Sequence, residues 1–258
     1  MNVSLYKFTL DKYGYCADHW CGARCCAACA PTSDDAHGDR NRSRAQSPHI
    51  LFLHTPKTGG SSIECATQGL QQQGLWTNMG HVRTFNETVE CVERCTVGAR
   101  RPLIALSVRD PYTYYASLYT MAYAGLAIVH TRLPFDRFME AYVARPPPST
   151  AVRNECNRSV AHFSRTLTQA ITGACGWPCK HDFLLRTETL SEDWANLVRV
   201  AGLPVSDRLP VFNAASKRRG TPPPIVFTQR VLDIIATADA RVFEAFGYTR
   251  RTVPFNHS

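Results

Sequence analysis

The segment that most constrains this chain is residues 49–62, HILFLHTPKTGGSS. Ile50, Leu51, Phe52 and Leu53 run without the polar alternation of a half-exposed strand, so they predict a short strand buried on both faces, as in a parallel sheet covered by helices. Pro56 ends the run. Gly59 and Gly60 let the backbone bend so that successive N–H groups turn inward, and a helix over residues 63–73 adds the positive end of its dipole. Lys57, Thr58, Ser61 and Ser62 supply a cation and hydroxyl donors. A loop of this kind cradles a phosphate-like anion. It is not the nucleoside-triphosphate loop that ends in Gly-Lys-Ser/Thr, because the lysine here precedes both glycines.

The same grammar recurs downstream. Residues 80–85 (GHVRTF) open a second strand candidate, and 86–95 read as a short helix with Cys91 and Cys95 one turn apart, able to reach one partner cysteine or to share a helix face. Residues 102–108 (PLIALSV) are a clear buried strand, ended by Arg109-Asp110-Pro111, with Asp110 as N-cap and proline in the first turn of the next helix. Tyr112, Tyr115 and Tyr119 fall on one side of that helix, and with Tyr114 they read as packing, not as a base-stacking platform. Helical patterns follow at 135–144, stopped by three prolines, and at 159–171; residues 182–185 (DFLL) are another strand candidate. Residues 188–201 and 229–246 are amphipathic helices on either side of a loop holding Lys217, Arg218, Arg219 and Gly220. Apolar strands alternating with helices predict a three-layer, P-loop-like α/β fold with a mostly parallel sheet, whose ligands sit at the carboxyl ends of the strands.

Residues 1–47 form a separate segment, and residues 48–258 the α/β domain. Cys16, Cys21, Cys25, Cys26 and Cys29 crowd together near His19, followed by a polar linker over residues 32–47. The cluster lacks two separated Cys-x-x-Cys knuckles, so disulfides or a disordered tail compete with a zinc site, and no cluster has catalytic metal spacing. Cys156, Cys175 and Cys179 read as structural disulfides or core residues.

The net charge of +8 predicts an anionic partner, though no nucleic-acid recognition motif is present. Eleven cysteines and five Asn-x-Ser/Thr sequons, at Asn2, Asn41, Asn86, Asn157 and Asn256, point to an oxidising, glycosylating lumen. Against this stands the lack of a signal-like apolar stretch or a membrane-spanning run, which leaves a cytoplasmic location as the alternative.

TPKTGGSS after the first strand and VRDPYTYYASLY after the later one together resemble the PAPS-dependent sulfotransferases (PAPS being 3′-phosphoadenosine 5′-phosphosulfate), especially the Golgi carbohydrate branch with heparan sulfate 2-O-like enzymes. The resemblance spans most of residues 48–250. It implies that Lys57, Thr58, Gly59, Gly60, Ser61 and Ser62 bind the 5′-phosphosulfate, and that Arg109 and Ser117, eight positions apart, bind the 3′-phosphate. LLRTETL at 184–190 and FNAAS followed by KRRG at 212–220 resemble the family's acidic turn and its basic loop over the cofactor, which brings in Lys217 and Arg218. One departure is Tyr114, where the family often carries a second arginine.

The resemblance implies transfer of a sulfuryl group from PAPS, leaving the 3′,5′-bisphosphate PAP, to a hydroxyl on a carbohydrate acceptor, acidic glycans being favoured by a basic rim, with no metal required. Lys57 would stabilise charge growing on the leaving phosphate. The acceptor proton needs a base, and His81 is the first candidate because GHVRTF resembles the His-bearing segment of uronyl 2-O-sulfotransferases. His54 and Glu64 are reserves; Glu188 reads as structural. Alternatives are a P-loop kinase or NTPase with an unusual loop, and a non-catalytic protein that keeps a nucleotide or glycan site.

Overall fold

The computed structural model describes residues 48–79, 85–96, 101–123, 133–144, 166–210 and 224–253. Four strands, β1 (Ile50–Leu53), β2 (Trp76–Asn78), β3 (Leu103–Val108) and β4 (Phe183–Arg186), form one all-parallel sheet in the order β2-β1-β3-β4. Leu53 pairs with Leu106, and Val108 with Arg186, so the strands end along one edge of the sheet. The helices are α1 (Gly60–Gln72), α2 (Phe85–Arg94), α3 (Pro111–Tyr123), α4 (Phe135–Met139, continued by a π-helical turn at Glu140–Ala144), α5 (Leu167–Cys175), α6 (Leu190–Ala201), α7 (Gln229–Ala238) and α8 (Ala240–Phe246).

Strand alternation sorts the sheet into two faces. Ile50, Phe52, Ala105 and Leu185 pack with Ile63 and Leu70 of α1 and Trp194, Leu197 and Val198 of α6. Leu51, Leu53, Leu106 and Val108 face the other way, onto the tyrosines of α3 and the apolar sides of α4, α5, α7 and α8. These layers are the predicted three-layer α/β fold. Tyr112, Tyr114, Tyr115 and Tyr119 are all fully buried, as a packing stripe requires.

Three elements differ from expectation. The second strand comes earlier, because α1 stops in a Schellman motif: Gly74 takes a φ of 69°, its N–H bonds Gln71 O, and Leu75 N–H bonds Leu70 O. That turn delivers Trp76 and Thr77, both buried, to the edge of β1. Of the expected strand at 80–85, Phe85 opens α2 and residues 80–84 lie outside the described residues. The helix expected over 229–246 is broken at Asp239, whose φ of −116° leaves the helical region. Its carboxylate instead accepts Tyr115 OH at 2.7 Å and Thr168 N–H at 2.7 Å, joining α3, the start of α5 and the α7–α8 corner. The helix expected over 159–171 is seen as α5, its first described turn closed by a capping box between Thr166 and Gln169.

Cys175 and Cys179 form a disulfide, and Cys95 is disulfide-bonded as well. Among the described residues no helix is long and apolar enough to cross a membrane. The clusters at residues 16–29 and the linker lie outside the described residues, as does Cys156.

Asp239 is fully buried, and burial pushes its pKa above the ordinary carboxylate value, its hydrogen-bond donors opposing the shift. The folded state therefore holds this proton more tightly than the unfolded chain, so the stabilising contribution is full below the unfolded value and is lost as pH rises through the folded one. Asp239→Ala, which strands two buried donors, is expected to cost about 2–4 kcal/mol in chemical denaturation. The stability of the parent relative to Asp239→Asn should be greatest at low pH and decline towards neutrality.

Candidate functional site

The sheet order puts β1 at a switch point. From β1 the chain crosses through α1 to β2 on one side, whereas β3, on the other side of β1, leads away to β4. Connections leaving in opposite directions open a crevice beyond the carboxyl ends of β1 and β3. The two segments singled out in the sequence, 54–62 and 109–117, leave those two strand ends.

In the first loop Lys57 takes a φ of 64° and Gly59 a φ of 82°. A left-handed conformation costs a non-glycine residue about 1 kcal/mol or more. Gly59 is the N-cap of α1 and offers no side-chain cap, and α1 carries no acidic residue in its first turn. By contrast the N–H groups at the starts of α3, α5 and α7 are capped by Asp110, Thr166 and Thr228. Ser62 N–H is taken by Gly59 O at 3.1 Å, while the N–H groups of Gly60 and Ser61 stand at the helix start with no side-chain cap competing for them. Both positions call for glycine, Gly59 by its left-handed φ and Gly60 by lack of space. A Cβ on Gly59 would come 2.6 Å from Leu190 Cδ2, and one on Gly60 would come 1.9 Å from His54 Nε2.

Ser107, on β3, holds this loop in place. Its hydroxyl oxygen accepts Thr55 N–H at 3.1 Å, lies 2.6 Å from Thr58 Oγ1 and reaches Leu53 O at 3.3 Å. Thr58 Oγ1 also donates to Thr55 O at 2.6 Å. Thr58 is fully buried, so its hydroxyl serves the loop's own shape, and what it can offer an anion is its backbone. Ser61 and Ser62 are half-buried in the first turn of α1.

Two residues beyond Ser107 on the chain, Arg109 crosses to the first loop. Its Nη1 donates to Lys57 O at 3.1 Å, and its Nε to Thr113 Oγ1 at 3.0 Å. Lys57 and Arg109, identified from separate motifs, are therefore joined directly. Burial lowers the Arg109 pKa from its ordinary value, while Glu188, Asp110 and Tyr248 act on it through space in the opposite sense. Both of its hydrogen-bond partners are neutral. The neighbouring carboxylates are engaged elsewhere: Glu188 accepts Asp110 N–H at 2.9 Å and Tyr248 OH at 3.2 Å, and Asp110 caps Thr113 N–H at 2.9 Å and pairs with Arg251 at 3.3 Å. Asp110 is thus the N-cap the sequence predicted, and Glu188 the structural carboxylate.

Ser117 stands half-buried on α3, one turn beyond Thr113. His54 is 5% exposed, with Nδ1 on Glu64 Oε1 at 2.9 Å and its ring against Gly60. His81, Lys217, Arg218 and Arg219 lie outside the described residues. Sequence reasoning missed Ser107, whose signal was a lone hydroxyl in the apolar run LIALSV, and Thr113, one turn along from Arg109. No family model matches the chain, and no curated protein or solved structure matches it.

Replacing Ser107 by Ala should cost about 1–3 kcal/mol, because it leaves Thr55 N–H and Thr58 Oγ1 without their buried partner. Gly60→Ala, which drives a methyl group into the His54 ring, should lose at least as much. Urea denaturation measures both, and a Ser107→Ala protein as stable as the parent would show that the loop does not depend on this tether.

Proposed function

We propose that this protein is a sulfotransferase that moves a sulfuryl group from PAPS to a hydroxyl of a carbohydrate, acidic glycans being the favoured class. The observation that carries this reading is the Arg109 hydrogen bond to Lys57 O, which joins two anion-seeking loops at one crevice. A ligand with phosphates on the 3′ and 5′ positions of one ribose needs two such groups side by side. The chemistry of the donor set fits: one loop offers first-turn N–H groups and a lysine, the other a half-buried guanidinium whose partners are neutral.

When bound, PAPS supplies a sulfuryl group on a 5′-phosphate, and transfer forms a bond from the acceptor oxygen to sulfur while the sulfur–oxygen bond to that phosphate breaks. The first loop binds the 5′ end through Lys57, the N–H groups from Gly59 to Ser61 and the hydroxyls of Ser61 and Ser62, where it meets the negative charge that grows on the leaving phosphate. Arg109, with Ser117 further along the same helix, binds the 3′-phosphate; a planar guanidinium suits that group's geometry. His81 removes the acceptor proton, and Lys217 and Arg218 supply positive charge for the nucleotide. The disulfides and the exposed Asn86 of one sequon support work in a lumen of the secretory pathway, and the family resemblance makes the Golgi the compartment proposed.

Incubation with sulfur-labelled PAPS and a panel of neutral and acidic glycans tests the activity. Lys57→Ala should lower the rate about 100- to 1,000-fold, the cost of removing one charge-stabilising donor. Lys57→Gly should lose as much while being no less stable than the parent, since glycine relaxes the left-handed residue. Arg109→Ala should weaken PAP binding, read by calorimetry, by about tenfold or more. Undiminished transfer by Lys57→Ala would defeat the reading.

A further inference from the structure

The segment after α8 crosses the corner at which the chain passes from β3 into α3, and it is fastened there at three points. Gly247, with a φ of 70°, turns the chain out of α8. Tyr248 OH then donates to Glu188 Oε2 at 3.2 Å, Arg251 N–H to Tyr112 OH at 3.0 Å, and Val253 N–H to Gln229 Oε1 at 3.0 Å. Between these anchors the Arg251 guanidinium lies 4.8 Å from the centre of the Tyr112 ring, and its Nη2 reaches Asp110 Oδ1 at 3.3 Å. Stacking on a buried ring gives the planar cation a set position, although its side chain is 48% exposed. Asp110, its partner, is the residue next to Arg109 on the chain.

What this ion pair does follows from the charges that act on Arg109. Glu188 and Asp110 both act on its guanidinium through space. Glu188 is met by neutral donors: Asp110 N–H at 2.9 Å, Tyr248 OH at 3.2 Å and Thr113 Oγ1 at 3.4 Å. Asp110 differs, because its Oδ1 accepts both the Thr113 N–H that it caps and the charged Arg251. A carboxylate beside a guanidinium weakens the pull of that cation on an anion, and it does so less when it has a counter-charge of its own. Capping α3 needs an acceptor but no charge, since serine or asparagine would serve as well. With aspartate in that place, Arg251 is the group that offsets the charge.

We propose that Arg251 is a positioning residue for anion binding at Arg109: it neutralises the helix-capping carboxylate of Asp110 and draws it away from Arg109, which keeps its charge for the 3′-phosphate of the nucleotide. This role rests on the sulfotransferase reading above. Arg251 acts through Asp110 and needs no contact with the ligand, so its effect exists only while residue 110 carries a charge.

The test uses the full chain with Arg251→Gln, Arg251→Lys, Asp110→Asn and the Arg251→Gln/Asp110→Asn double variant, and reads the Kd for PAP by calorimetry. Arg251→Gln should weaken PAP binding about 3- to 10-fold, the scale of losing one half-exposed counter-charge. Arg251→Lys, which keeps the charge and gives up the planar stacking, should stay within about twofold of the parent. Asp110→Asn keeps the helix cap without the charge, and in that background Arg251→Gln should make no further difference. An Arg251→Gln protein that binds PAP as tightly as the parent overturns the proposal. So does an equal loss in the Asp110→Asn background, which would make Arg251 a direct ligand contact or a tether for its own segment. A parent that binds no PAP overturns the sulfotransferase reading and this role with it, whereas a parent that binds PAP beside an indifferent Arg251→Gln overturns this role alone.

Discussion

The tether between β1 and β3 above their paired residues is the constraint on which the rest depends. Parallel neighbours diverge once their ladder ends, and here the ladder ends at Leu53 and Leu106. Ser107 then takes over the role of the next ladder bond. Its side chain, and not a backbone group, satisfies Thr55 N–H, and it stands against the Thr58 hydroxyl. A buried backbone donor left without a partner costs more than a single hydrogen bond contributes, so the loop has one low-energy path across the sheet edge. That path leaves Lys57 left-handed and its carbonyl facing Arg109. The strain at Lys57 is thus a consequence of two anchored flanks, Thr55 before it and Thr58 after it.

The sheet's two faces divide the work of holding this loop. Under α1 the support is aromatic: Phe52 lies against both Trp76 and His54, and Trp76 meets Trp194 edge-on at 5.9 Å. These rings have few rotamers and make the floor of the cradle stiff. Under α3 the support is a stripe of tyrosines whose polar ends are used for alignment. Tyr115 reaches Asp239, Tyr119 donates to Leu133 O, and Tyr112 OH accepts Arg251 N–H. The last of these brings the segment after α8 back over the Arg109–Pro111 corner. On the α3 face helix position is therefore set by the hydroxyls of Tyr112, Tyr115 and Tyr119, each with a directed partner, a stronger condition than apolar contact alone.

Those features that depend on local pattern were legible in the sequence. The run ILFL, the Asp110-Pro111 helix start and the tyrosine periodicity each encode their structure within a few residues, and β1, β3 and α3 follow them. Where a side chain points relative to a distant strand was not legible. Thr58 reads as a donor to a ligand until Ser107, 49 residues on, is seen against it. Ser107 itself is hidden inside an apolar strand. β2 is only three residues long and announces itself by Gly74 ending a helix, a weaker signal than the His-containing stretch that follows. Asp239 breaks a helix whose apolar pattern runs straight through it, because the attraction comes from Tyr115 and Thr168 on other elements.

The charges around Arg109 give the strongest physical reason to expect an anion. Arg109 and Asp110 are adjacent on the chain, yet they do not neutralise each other by contact. Asp110 is turned to Thr113 N–H and to Arg251, whose guanidinium also lies 4.8 Å above the Tyr112 ring. Glu188 is turned to Asp110 N–H and Tyr248. Each carboxylate near the corner is thus oriented by donors other than Arg109, while Arg109 is oriented by a carbonyl and a hydroxyl. Burying a guanidinium among neutral acceptors is costly unless an opposite charge completes its surroundings. An anion entering the crevice beside Arg109 would do so, next to the loop that Arg109 holds through Lys57 O.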